Sequence, residues 1–169
     1  MKQLKLLLLV TLLLAGVVAC SSNTADGKME VVDAWGRSSP MAAQNGAFYM
    51  QVTNNTGTDD KLLSAATEAC EVVELHEMYM RENDMMGMRP VPDGFIALPA
   101  GETVELKVGG LHVMCIGKIA NFEVGDTYPV ILQFENAGEM EITVEIRDNA
   151  DMPMDSMEHE GEMESGDGG

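Results

Sequence analysis

Polar and apolar residues alternate with a period of two along most of the chain between Met29 and Arg147, the spacing of strands that bury one face. β-Branched and aromatic residues concentrate in the same stretches. Together they predict short strands at Met29 to Trp35, Ala47 to Thr53, Lys61 to Ala66, Glu71 to Met78, Phe95 to Leu98, Thr103 to Val108, Leu111 to Ile116, Thr127 to Phe134 and Glu139 to Arg147. Turn formers separate them at Asn54-Asn55-Thr56-Gly57, Pro92-Asp93-Gly94, Pro99-Ala100-Gly101, Gly109-Gly110, Val124-Gly125-Asp126 and Asn136-Ala137-Gly138. No amphipathic stretch of helical period follows residue 20, and no internal repeat or interdomain linker interrupts the pattern. The expected fold is all-β, one antiparallel sandwich or barrel over residues 29–147.

The pattern changes at both ends. Lys2 and Lys5 precede an apolar run from Leu6 to Val18, which is short for a bilayer span and has the flanks of an export signal. Val17-Val18-Ala19-Cys20 resembles a lipobox, so residues 1–19 are expected to be a lipoprotein signal peptide. Cys20 then carries lipid, and residues 20–28 form a tether on the outer side of the membrane. At the other end, residues 148–169 hold eight acidic residues, no Lys or Arg, and Met152, Met154, Met157, His159 and Met163. Such a composition cannot bury enough surface to offset its ordering entropy, so a disordered acidic tail is expected. A tail with no core to pack has no hydrophobic use for methionine, which makes it a candidate metal-collecting arm, with Cu(II) as a cargo for His159 and the carboxylates.

Composition narrows the function. The formal charge is −18, and loss of Lys2 and Lys5 with the signal peptide makes it more negative. A surface of this sign repels nucleic acid and attracts cations. Cys70 and Cys115 remain after Cys20 is assigned, and spacing alone leaves them free to form a disulfide, stay as buried thiols or join a metal site. No nucleophile–base constellation or phosphate loop is visible, so an enzyme is not expected.

The candidate chemistry lies in histidine and methionine. Each of the three histidines stands two residues from a methionine, as His76-Glu77-Met78, His112-Val113-Met114 and Met157-Glu158-His159, in a chain with 15 methionines. Imidazole and thioether together suit a soft ion, Cu(I) first. On a strand, residues i and i+2 share a face, so His112 and Met114 can converge while Val113 and Cys115 point to the core. His76 and Met78 have the same geometry. The polar, hairpin-like loop that follows carries Met80, Met85, Met86 and Met88, whereas Met29, Met41, Met50 and Met140 read as packing residues.

Seven segments carry a family resemblance beyond Asp33-Ala34-Trp35. They are Gly46-Ala47-Phe48-Tyr49, Val73-Glu74-Leu75-His76-Glu77-Met78, Met88-Arg89-Pro90-Val91, Leu98-Pro99-Ala100-Gly101, Thr103-Val104-Glu105-Leu106, Gly109-Gly110-Leu111-His112-Val113-Met114 and Phe134-Glu135-Asn136-Ala137-Gly138. In this order they closely resemble the periplasmic copper chaperone family PCuAC. The resemblance implies a cupredoxin-like Greek-key sandwich that binds one Cu(I) near its surface through two His and two Met. On matching positions these are His76, Met88, His112 and Met114, of which His112 and Met114 are expected to be exposed. Met88 stands one residue farther from His76 and two farther from His112 than in the family pattern, and Met86 and Met78 are alternatives for its place. The implied role is a membrane-anchored chaperone on the periplasmic side that passes copper to an acceptor cuproprotein, the copper subunit of cytochrome c oxidase or another copper chaperone. The alternative is a copper-sequestering or resistance lipoprotein with no specific acceptor and the tail as its sink. An adhesion or ligand-binding sandwich with incidental Met/His pairs is a third reading, which leaves the loop methionines without a purpose.

Overall fold

Period-two alternation becomes ten strands among the described residues, which in this computed structural model are 27–82 and 84–148. They are β1 (Met29–Arg37), β2 (Gly46–Asn54), β3 (Asp60–Ala66), β4 (Cys70–Met80), β5 (Met86–Pro90), β6 (Ile96–Leu98), β7 (Thr103–Leu106), β8 (His112–Lys118), β9 (Thr127–Phe134) and β10 (Glu139–Arg147). The expected signal peptide, lipid-bearing Cys20 and the tail residues Met152, Met154, Met157, His159 and Met163 lie outside the described residues.

The strand that alternation misses is β5. Met86-Gly87-Met88-Arg89-Pro90 has no β-branched residue and contains the two residue types that strands most avoid. It pairs only with β4, at the edge of the sheet, where a proline sacrifices no ladder hydrogen bond. The loop expected there is therefore a true hairpin.

One continuous sheet runs in the order β5-β4-β8-β2-β1-β10-β9-β3-β6, with β7 paired to β2 beyond β8. All pairs are antiparallel except β1 with β10. The ladder curls until β3 lies against β4, giving the all-β, cupredoxin-like sandwich. Phe48, Val52, Leu75 and Val113 from one half face Leu62, Val130, Leu132, Phe134, Val144 and Ile146 from the other, and all are buried in one core.

Three local devices hold the curl. At Asp33 the register of β1 against β2 shifts, and its backbone takes a φ of 50°, a left-handed conformation that Asp tolerates. Arg147 donates to its carboxylate at 2.6 Å, which anchors the bulge to the end of β10. Past it, Trp35 to Arg37 pair with β10, and Trp35 and Gly36 also with β2; at this seam a Cβ on Gly36 would sit 2.8 Å from both Phe48 and Ile146. The second device is a Cys70–Cys115 disulfide joining β4 to β8, which settles the choice that spacing left open. The third is Asp60, buried at the start of β3, whose carboxylate accepts the backbone N–H groups of Lys61, Asn136 and Ala137 at 2.7, 2.9 and 2.8 Å. Burial alone would raise its pKa. The backbone donors of Asn136, Lys61, Ala137 and Glu135 outweigh burial and hold it below the usual 3.8.

The disulfide closes a span of 45 residues. Replacing both Cys70 and Cys115 with Ala should lower the unfolding free energy by roughly 3–4 kcal/mol on the chain-entropy model, as read by urea denaturation; a loss below about 1 kcal/mol would contradict this role. Asp60 has a depressed folded pKa, so its stabilisation is complete above the unfolded value and is lost as pH falls through the folded one. Asp60→Asn should therefore cost about 1–3 kcal/mol near neutral pH, shrinking as the pH is lowered well below 3.8. An equal cost at neutral and acid pH would show that the charge plays no part.

Candidate metal centre

Register and parity alone gather five donor residues. β4 and β8 run antiparallel with His76 opposite His112, and β4 and β5 with Met78 opposite Met88. Met114, two residues along from His112, takes the same face, while Val113 and Cys115 are fully buried on the other. Met78, Met88, His112 and Met114 line one cavity of about 400 Å³ with Ala47 and Tyr49 of β2 and Arg37 of β1. His76 lies beside the cavity rather than in its wall, its ring edge-on to His112 with centroids 5.8 Å apart.

Hydrogen bonds select which ring nitrogens are bare. A carbonyl oxygen can only accept, so Nδ1 of His112 donates to Gly110 at 3.0 Å and carries the proton of the neutral ring. Its Nε2 lone pair then faces the Met88 Sδ at 2.9 Å. Burial lowers the His112 pKa; the Gly110 hydrogen bond opposes the shift and His76 adds to it. The ring is thus held in the neutral form that coordinates metals, with its Nε2 in contact with the Met88 sulfur.

His76 is set by the same logic. Its Nε2 donates to Glu74 Oε2 at 2.7 Å, because a carboxylate only accepts, so in the neutral ring the lone pair sits on Nδ1. That Nδ1 is buried with no hydrogen-bond partner. An orphaned imidazole nitrogen backed by a carboxylate is the arrangement that orients a histidine and makes it a better donor. Among the described residues no three His, Cys, Asp or Glu side chains gather into a metal site. A donor set here is complete only if thioethers join it, and thioethers favour a soft ion.

The expected exposure of His112 and Met114 is corrected by the structure. His112, His76 and Met114 are 4, 8 and 8% exposed, and only Met88 is open, at 43%. Tyr49, whose ring lies 6.2 Å from that of His112 and 4.6 Å from Trp35, covers one side. The Ser39–Asn45 loop covers another, and Lys118 pins it. Its buried ammonium donates to Ser39 O at 2.9 Å, Ser39 Oγ at 2.6 Å and Pro40 O at 3.1 Å, and burial lowers its pKa. Tyr49 is likewise buried, which raises its phenol pKa against the opposing pull of Arg37. Of the alternatives to Met88, Met78 is in the cavity wall; Met86 is one strand pair farther out and half exposed.

Glu74, Gly110, Tyr49 and Arg37 were not legible as site residues in the sequence. Parity could have found Glu74, which precedes His76 by two and shares its face. The Gly110 carbonyl and the cover from Arg37 and Tyr49 depend on how separate strands meet, which no local pattern encodes.

Residues 29–146 match the model of the LpqE-like family, described as "Putative lipoprotein LpqE-like". A protein of Leifsonia xyli subsp. xyli (strain CTCB07), named "Putative lipoprotein Lxx21020", is 30% identical over 151 residues, covering 82% of this chain and 87% of its own. Among solved structures, the apo PCuAC domain from PmoF1 superposes with a TM-score of 0.61 at 26% identity over 72% of this chain and 94% of its own. The Cu(I) form of DR1885 from Deinococcus radiodurans gives 0.55 at 25% identity over 72% and 77%. The copper-bound PCuAC domain from PmoF2 gives 0.59 at 23% over 72% and 93%, a likeness of fold. The chain belongs to the LpqE-like family and carries the PCuAC fold.

Proposed function

We propose that this protein is a copper chaperone that binds one Cu(I) through His76, Met88, His112 and Met114, with Met78 alongside. The observation that carries the reading is the convergence of the bare His112 Nε2 on Met88 Sδ at 2.9 Å, beside the unpartnered His76 Nδ1. The Cu(I)-bearing relative from Deinococcus radiodurans supports the choice of ion. Neutral imidazole and thioether bind Cu(I) without releasing a proton, and the Arg37 guanidinium in the cavity wall repels a +1 complex less than it would a +2 one. Locking Cys70 and Cys115 into a disulfide on the core side leaves no thiol among the described residues to compete or oxidise.

Three buried donors on paired strands hold the ion, and the exposed Met88 on the edge strand is the one an acceptor can replace. A weak outer bond exchanged for an incoming one lets copper leave without opening the fold. The acceptor is an extracytoplasmic cuproprotein, in the family reading the copper centre of cytochrome c oxidase, approached by a chain anchored in the membrane through lipid on Cys20. Residues 150–169 serve as an auxiliary collecting arm that takes Cu(II) through His159 and the carboxylates.

Titration of the full chain with Cu(I) against a competing chelator, without oxygen, should give one tight equivalent, and no Cu(I) binding at all would end the metal reading. Met88→Leu should weaken that equivalent by roughly tenfold or more, about 1.4 kcal/mol, at an unchanged melting temperature because Met88 is exposed. His112→Ala should abolish tight binding and also lower stability by about 1–3 kcal/mol, since the ring it removes is buried. Deletion of 150–169 should leave the tight equivalent in place; its loss with the tail would favour the sequestering role instead.

A further inference from the structure

Beyond the centre, β4 and β5 continue as a hairpin whose two faces differ in chemistry. Directly opposed pairs are His76 with Pro90, Met78 with Met88, and Met80 with Met86, so by parity all three pairs project from one face. On the other face Glu77, Tyr79 and Arg89 interlock: Arg89 pairs with Glu77 at 2.8 Å and lies 4.4 Å over the Tyr79 ring. Gly87 makes room there, since a Cβ would meet the Tyr79 ring at 2.9 Å and Arg81 Nε at 2.5 Å. The polar and aromatic residues thus pack one side, and the methionines are left to the other.

Met80 and Met86 are 60 and 50% exposed. Packing does not fully account for them, because complete burial of a methionine is worth about 1.5–3 kcal/mol and here half or more of that is forgone. Their chemistry does. Residues directly opposed in an antiparallel pair have Cβ atoms about 4.5–5.5 Å apart, close enough for two thioether sulfurs to bracket one Cu(I). The next pair on the same face, Met78 with Met88, is about 6.6–7 Å along the strands and lines the inner cavity.

We propose that Met80 and Met86 form a second, outer Cu(I) site at the end of a methionine ladder, loading the inner centre through Met78 and Met88. The inference rests on the inner centre proposed above. Transfer along the ladder is ligand exchange: each sulfur–copper bond that breaks is replaced by one to the next rung, copper stays Cu(I), and no electron or proton moves. A site made only of two neutral thioethers binds more weakly than one with two imidazoles, so the ion runs inward.

The test uses the full chain labelled with 13C in the methionine methyl groups and Cu(I) delivered as its bicinchoninate complex without oxygen. The first equivalent should shift Met88 and Met114, and copper beyond it should shift Met80 and Met86 together. Met80 and Met86 staying still, or moving independently, after Met88 and Met114 saturate would overturn the outer site. Met88 and Met114 staying still while Met80 and Met86 move would overturn the inner centre instead. A Met80→Leu/Met86→Leu variant should keep the inner affinity within twofold of wild type and load from bicinchoninate at least fivefold more slowly. An unchanged loading rate would overturn the ladder.

Discussion

The alternation along β8 is the constraint on which the rest depends. His112 and Met114 face the cavity, Val113 and Cys115 face the core, and the strand is paired on both sides, to β4 and to β2. A slip of one residue would put an imidazole and a thioether into the core and expose the disulfide. The core therefore enforces the geometry of the candidate centre: the apolar side chains that stabilise the fold lie on the same seven residues as the donors. Cys70–Cys115 adds a covalent bond between the two strands that carry both histidines.

Around that strand the donors are prepared to different degrees. Glu74 and the Gly110 carbonyl each accept a hydrogen bond from one ring N–H, so each neutral histidine keeps a lone pair of known position. Buried and backed in this way, the two rings are fixed in orientation. Met88 is held only by an edge strand, and its exposure makes it the donor easiest to exchange. In the proposed role, a centre rigid on three sides and yielding on the fourth reconciles retention with release, which a chaperone needs and a sink does not.

Much of the fold was legible because strand period and turn residues are local. The bounds of β3, β9 and β10 lie within one residue of what alternation predicts, and β4 runs two residues past Met78. β5 was not legible, since Met-Gly-Met-Arg-Pro has poor strand propensity and is held by its pairing with β4 alone. The burial of His112 and Met114 was missed for a different reason. Parity tells which residues share a face, but nothing local says that Tyr49 and a loop pinned by Lys118 will cover it.

By itself the sequence determined that this is an all-β chain, that His76, His112, Met114 and a loop methionine are its candidate donors, and that Cys115 faces away from them. The strands and the direction of Cys115 follow from residue chemistry and a period of two, both properties of neighbours along the chain, and the set of four donors from the resemblance to PCuAC. Only the tertiary structure decided that Met88 meets His112, that Glu74 and Gly110 select the bare nitrogens, and that Cys70 reaches Cys115. Those depend on the register between strands far apart in sequence, which the whole core sets at once.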